Sequence, residues 1–415
     1  MWETPRDATP RAATAPPETL HLVPPAFFYL FLFLPYGAGG AFVAVTVGGL
    51  AGRAGVSDGD VAGLFAIWLM PHIWKFLWAP AIDWLGTQRG WHLAANVVAS
   101  AGLGAMGIVP MGPQSLGVLR ALALVAGVAS TIVAMATESL VAERTPPTQL
   151  GRVAGWMQAG NAGGIAFGGT GLALAQRTGV PAATSLLAVV LLACSLPLAF
   201  VRFPPRRDAG EGLRKAARDL SSEVLSIVRS RSGQLGLVVC ALPLGMGAAA
   251  NLFAAISPDW RASPALVATS TGVASGVISV LGSLVGGRLS DSMPRRTAYI
   301  VAGLAVAVAA FAMAGLPRTP AAFVVSVLAY NFANGLVYAT FAAFVLEIIG
   351  RGAAATKYNI LAALANVPYL FVAYLDGWVS NHHGRTAMLV ADGLSGVAGA
   401  LVLAAVTYAL RRRPA

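Results

Sequence analysis

Charge is scarce in this sequence. Asp, Glu, Lys and Arg make up 11% of its 415 residues, against 57% hydrophobic, and the mean hydropathy is +0.70. A soluble domain carries about a quarter charged residues, so this composition excludes a chain that faces water throughout. Cysteine is nearly missing. Cys194 and Cys240 both fall within apolar runs, which excludes a disulfide framework and leaves the redox compartment unread. No G-x-x-x-x-G-K-[ST] loop is present, which argues against ATP as the direct energy source. His382 and His383 stand together with no Cys or paired carboxylate nearby, so metal-ligand spacing is missing and no enzyme constellation stands out. Residues 1–22 are rich in Pro, Ala and Thr but lack a basic n-region and a cleavage site. They read as a disordered cytoplasmic tail.

What the chain has instead is apolar length. Twelve runs, each long enough to cross about 30 Å of hydrocarbon, fall at 26–50, 60–83, 91–110, 115–138, 151–175, 182–202, 233–256, 264–288, 297–316, 321–347, 356–379 and 386–410. They are spans one to twelve below. The formal charge of +11 and the pI near 10.2 would fit a nucleic-acid partner, but the location of the charge excludes one. With the amino terminus inside, 21 Lys and Arg lie on the cytoplasmic side. Five lie opposite: Arg53, Arg177, Arg261, Arg318 and Arg385. That asymmetry is the positive-inside pattern and predicts both termini in the cytoplasm. Lysine occurs only at 75, 215 and 357. With the Ala and Gly bias, this points to a GC-rich bacterium and its inner membrane.

The runs divide into two sets of six. Span three is preceded by Asp83-Trp84-Leu85-Gly86-Thr87-Gln88-Arg89, and span nine by Gly287-Arg288-Leu289-Ser290-Asp291-Ser292-Met293-Pro294-Arg295-Arg296. The two aspartates are half a chain length apart, as a duplication requires. The expected units are a six-helix half at 23–202, a cytoplasmic linker at 203–232, a second half at 233–410 and a tail at 411–415. Within the linker, Leu213, Ala217, Leu220, Val224 and Val228 share one helical face beside Arg214, Lys215 and Arg218. This fits an amphipathic helix on the lipid surface or a solvated connector equally well. Span five carries Gly160, Gly164 and Gly168, and span eight carries Gly272, Gly276, Gly282 and Gly286. Small residues at this spacing let helices approach closely, and the expectation is a sliding seam between the halves.

The Asp83 and Asp291 loops resemble the G-x-x-x-D-x-x-G-R-R/K loop motif of the major facilitator superfamily. The second copy keeps Gly287, Asp291, Arg295 and Arg296, with Pro294 in the glycine's place, whereas the first has Ala79 at the leading position, Gly86, and its base at Arg89. Leu34-Pro35-Tyr36-Gly37, Lys75-Phe76-Leu77-Trp78-Ala79-Pro80, Arg89-Gly90-Trp91 and Ala355-Thr356-Lys357-Tyr358 are similar to the AmpG-like branch of muropeptide permeases, siderophore permeases and acetyl-CoA transporters. This narrower likeness covers about a quarter of the chain. The resemblance implies an all-α integral membrane protein of twelve transmembrane helices in two pseudo-symmetric halves, working by alternating access. Muropeptide permeases of this branch carry acids partway along span four. Ile132 and Ala136 stand there in this chain, so a muropeptide is not the expected best solute. Span five also lacks the Gly–Pro signature of drug antiporters, which argues against drug export.

An ionisable group inside a span costs about 2.5–3.5 kcal/mol or more and needs a reason. His72 and Lys75 share a face of span two with Trp68. Lys75 fits a cationic contact for an anionic solute, a side chain snorkelling to the surface, or a structural partner of Asp83 or Glu138. Arg120 and Glu138 project from one side of span four, as charged ends of a cavity or as markers of the lipid boundary. Asn331, Asn334 and Tyr338 on span ten, and Asn359 and Asn366 on span eleven, form polar stripes that suit a wet pocket. Asp376 and Asp392 lie close to Arg385, and a local ion pair is expected. The resulting candidate site comprises His72, Lys75, Tyr36, Trp68, Asn331, Asn334, Tyr338, Asn359 and Asn366. Asp83, Arg89, Asp291, Arg295 and Arg296 are the candidate gate. The expected function is a secondary transporter, a monomer in membrane lipid, importing a polar or amphiphilic anionic small molecule. No cofactor is expected, and proton coupling is left open. A non-transporting receptor and a lipid flippase are the alternatives.

Overall fold

A computed structural model of the chain describes residues 24–200, 213–350 and 353–412. The expected tail at 1–22, the start of the linker at 203–212 and the end beyond 412 lie outside the described residues. Among the described residues all regular elements are helical. Eight are long and apolar enough to cross a membrane by length and composition: Phe28–Arg53, Pro113–Arg144, Val180–Ala199, Pro264–Ser292, Arg295–Gly315, Pro320–Ile349, Ala354–His383 and Arg385–Val406. The four remaining stretches fall where the sequence places spans two, three, five and seven. Span two is Asp58–Trp74, a 3-10 turn Lys75–Leu77 and Ala79–Trp84. Span three is Gln88–Met106, and span five is Leu150–Gly169 with Gly171–Thr178.

Span seven departs from the expected continuous helix at 233–256. It runs as Arg231–Ala241 and then breaks. Pro243 drives its preceding residue out of the helical region, and Leu242 is extended. Gly245 and Gly247 then take left-handed backbone, which glycine alone adopts without a Cβ penalty. The chain resumes as Ala248–Leu252, Phe253–Ile256 and Ser257–Trp260. The apolar composition of the run had concealed the break.

Three apolar cores set the architecture. One lies within the first half, around Val43, Leu64, Trp68, Leu103 and Leu119. Another lies within the second, around Phe253, Trp260, Tyr299, Phe323 and Tyr330. A third joins them: Tyr29, Leu140, Val141, Leu150 and Met157 pack with Ala342, Leu346, Tyr358 and Leu361. The shared core occupies the end of the bundle that carries the Asp83 and Asp291 loops. The connecting helix Leu213–Arg229 is tied to this core through buried Ile227, while Val228 on the expected apolar face is half exposed. The side chains of Leu213, Ala217 and Leu220 lie outside the described set.

The glycines do not form the single expected seam. Cβ atoms at Gly160, Gly164 and Gly168 would strike the backbone of span one at Leu30, Leu34 and Ala38. Gly282 and Gly286 likewise abut Phe332 and Leu336 of span ten. Each of these two sets therefore packs inside its own half. The contact between halves uses Gly151, Gly155 and Gly287, where a Cβ on Gly287 would meet Gly151 O at 2.7 Å and Gly155 Cα at 2.8 Å. Gly276 adds a close approach to Ala166, and Gly272 has open space beside it. A four-residue spacing marks a small face but does not name the helix that covers it.

Candidate functional site

Between the halves lies a cavity of about 330 Å³. The first half lines it with Phe33 and Tyr36 of span one, Leu69, His72, Ile73 and Lys75 of span two, Glu138 of span four, and Gln158 and Asn161 of span five. The second half contributes Gly245 and Met246 at the break in span seven, Tyr299, Val337, Tyr338 and Phe341, and a stripe on span eleven. That stripe comprises Tyr358, Ala362, Ala365, Asn366, Tyr369 and Leu370. Tyr338 sits deep in the bundle yet keeps 49% of its surface accessible, so its side chain faces the open space of the cavity. The shared apolar core closes it on the loop side.

Local backbone chemistry explains these placements. Pro71 lies inside span two, and the helix tightens to the 3-10 turn that begins at Lys75. This turn holds the ammonium in the cavity wall, 5% exposed, with Nζ 6.0 Å from the Tyr36 ring centre. Among the described residues no carboxylate lies within 4.0 Å of Lys75. The one acidic residue lining the cavity among the described residues is Glu138, whose Oε2 accepts from Asn359 Nδ2 of the opposite half at 3.0 Å. The His72 ring lies 5.5 Å from Tyr36 and 5.8 Å from Trp68. The wall therefore carries an ammonium, a carboxyl group and an imidazole.

The two loop aspartates do the same thing in opposite directions. Asp83 of the first half accepts from the Ala355 amide at 3.0 Å and from the Thr356 amide and hydroxyl at 2.8 and 2.7 Å. Asp291 of the second half accepts from the Gly151 and Arg152 amides, each at 2.8 Å. Each carboxylate thus caps the first turn of a helix in the other half. Unpaired amides and the helix dipole make that position favourable for an anion. Arg295 reinforces the second cap, bonding Glu347 at 2.8 Å and the Pro147 carbonyl across the seam. Arg89 is exposed at the start of span three, and Arg296 is partly buried.

Of the expected solute contacts, Tyr36, His72, Lys75, Tyr338 and Asn366 line the cavity together. Four others do not. Trp68 is buried over Gly39 and Gly40, Asn331 donates to Val327 O at 2.9 Å, Asn334 packs against Gly247, and Asn359 is spent on Glu138 and Ala355 O. Glu138 reaches the cavity but Arg120 does not, because it pairs with Asp60 at 2.7 Å inside its own half. Arg385 does not pair with Asp376 or Asp392 and binds Asp259 of span seven instead. Sequence reading overlooked Gln158 and Asn161, which stand three apart and bond each other at 3.2 Å. The spacing used for span ten would have found them. Ile132 packs in an apolar cluster with Ala79, Ile82 and Ala355, and buried Ala136 also stays outside the cavity lining. Neither of the two positions where the branch carries acids lines the cavity in this chain.

A family profile of the Major Facilitator Superfamily matches residues 27–368. The anhydromuropeptide permeases of Escherichia coli strain K12 and of Escherichia coli O157:H7 are each 24% identical over 387 residues, covering 88% of this chain and 77% of their own. Among solved structures, the human organic anion transporter MFSD10 (TETRAN) superposes with a TM-score of 0.69 at 16% identity, over 94% of this chain and 100% of its own. The proton:xylose symporter XylE bound to 6-bromo-6-deoxy-D-glucose gives 0.66 at 16%, over 93% and 95%. At such identity these two structures speak to the fold alone.

Proposed function

The chain belongs to the Major Facilitator Superfamily of transporters, and we propose that it imports a polar or amphiphilic anionic metabolite by alternating access. One observation carries this: Lys75 is a buried ammonium in the wall of the inter-half cavity, and among the described residues no carboxylate lies within ion-pair distance of it. A desolvated cation is costly unless a counter-charge arrives, and a solute anion would supply it. Tyr36, Tyr338, Tyr369, Gln158, Asn161 and Asn366 would hydrogen-bond its polar parts, while Leu69, Ile73 and Leu370 would take an apolar portion. The name of the permease relatives makes anhydromuropeptide one candidate to test.

Residues 23–202 and 233–410 would rock about the cavity, tethered by 203–232. The Asp83 and Asp291 caps would hold the closed loop side, and their release would open the cavity inward. The charge asymmetry of the loops supports cytoplasmic termini in a bacterial inner membrane. The cavity lies wholly within one chain, which supports a monomer, and protons would supply the driving force. The transporter family does not favour a receptor or a flippase.

The test is uptake into proteoliposomes under an imposed proton gradient, with anhydromuropeptides, ferric siderophores, coenzyme A esters and smaller organic anions as solutes. Concentrative uptake of at least one anion is expected. Uptake of neutral solutes in preference to every anion would overturn the charge assignment.

A further inference from the structure

Away from the cavity, the second half buries two carboxyl groups that no step above employs. Asp376 of span eleven is 0% exposed and Asp392 of span twelve is 4% exposed. The two carboxyl groups lie within hydrogen-bonding reach of each other. Tyr330 of span ten donates its hydroxyl to Asp392 Oδ2 at 2.7 Å. The Ala249 amide, on the segment that follows the break in span seven, faces the same group. Among the described residues no donor other than the neighbouring carboxyl group reaches either oxygen of Asp376. Three cations near the outer ends of these elements are engaged elsewhere. Arg385 binds Asp259, Arg318 stacks 3.9 Å from Trp260 and bonds Thr386, and His382 bonds Trp378 O.

Two ionised carboxylates offer acceptors only, so buried contact between them gives neither a donor from the other, leaves Asp376 without one and sets like charges together. One proton between them resolves both problems. A metal cation would require about six oxygen ligands, whereas two carboxyl groups and one phenol are what the side chains provide here.

We propose that Asp376 and Asp392 form a proton-binding site in which the two carboxyl groups share one proton and Tyr330 holds Asp392 in place. Asp376 carries the proton as its O–H and donates it to Asp392. Release to water breaks that O–H bond and leaves two carboxylates, only one of which retains the Tyr330 donor. Their repulsion then bears on the Ala248–Leu252 segment packed beside them. The site is tied to the solute cavity through Asn251 of that segment, whose Nδ2 donates to the Tyr369 hydroxyl at 2.8 Å. As a coupling device it rests on the transport reading above, but as a proton site it does not.

Infrared spectra of the full-length protein in sodium-free proteoliposomes at neutral pH, with no solute, test it directly. The wild type should show the carbonyl band of a protonated carboxylic acid. Asp376→Asn and Asp392→Asn should each remove it, and Glu138→Gln should leave it in place. Tyr330→Phe keeps both acids and should shift the band rather than abolish it, which covers the event that an aspartate variant misfolds. A spectrum with ionised carboxylates only, or a band lost in Glu138→Gln alone, would overturn the assignment. So would carboxylate bands that change on adding sodium, which would make this a cation site. Transport of anions could fail entirely and leave this outcome untouched.

Discussion

Replacing Asp291 with Asn should loosen the whole loop side of the transporter, not merely one helix end. The carboxylate accepts from the Gly151 and Arg152 amides at 2.8 Å each, with Arg295 at 3.9 Å. Asparagine offers one oxygen to two amides and turns an N–H₂ donor towards the second. A hydrogen bond to a charged group contributes about 1.5–3 kcal/mol net, and a charge at a helix terminus about 0.3–1 kcal/mol. The loss should therefore be roughly 2–3 kcal/mol, discounted towards the lower figure because the site is partly solvated. At 1.4 kcal/mol per decade this is on the order of a 30- to 100-fold rise in the open population. Amide hydrogen exchange reads that population locally. Peptides covering Gly151–Arg152 should exchange faster by that factor. If the halves rock as units, the distant Ala355–Thr356 peptide capped by Asp83 should accelerate as well. Faster exchange at Gly151–Arg152 alone would mean simple fraying and would refute the gate.

Glu138→Gln keeps an oxygen for Asn359 Nδ2 and removes a negative charge from the cavity. At an effective dielectric near 20 a like charge so removed is worth on the order of 1–2 kcal/mol, so calorimetry should show an anionic solute binding about tenfold tighter. Weaker binding would mean that Glu138 contacts a positive group of the solute. Gly287→Ala places a methyl 2.7 Å from Gly151 O across the seam and should shift exchange at the loop side while the protein stays folded. Gly164→Ala strikes the Leu34 carbonyl inside one half and should cost about 1–3 kcal/mol of fold stability, seen as a lower melting temperature. Equal melting temperatures in the two variants would contradict this division of the glycines.

The span positions were legible because hydropathy and charge are one-dimensional signals. The Asp83 and Asp291 loops stood out for the same reason, since the motif is contiguous. Their partners were not legible: Asp83 and Thr356 are 273 residues apart, and nothing local marks a helix N-terminus as the one that a distant carboxylate will cap. The break in span seven was written in Pro243, Gly245 and Gly247 but was masked by an unbroken apolar run. The polar stripes of spans ten and eleven were half right. Periodicity groups Asn331, Asn334 and Tyr338 on one face, yet that face is wide enough for Asn331 to bond its own helix while Tyr338 meets the cavity. Arg385 was matched with acids nearby in sequence, whereas the fold brings Asp259 to it from span seven.

The central claim is that Lys75 awaits a solute anion. Ligand-induced thermal stabilisation of the purified wild type, Lys75→Ala and Lys75→Arg, across the four anion classes named above, tests it most directly. Loss of a charge-assisted hydrogen bond of about 1.5–3 kcal/mol should weaken binding roughly 10- to 100-fold in Lys75→Ala while its unliganded melting temperature holds. The larger planar guanidinium of Lys75→Arg should restore it only in part. Unchanged affinity for every stabilising anion in a folded Lys75→Ala variant would contradict the account and return Lys75 to a purely structural role.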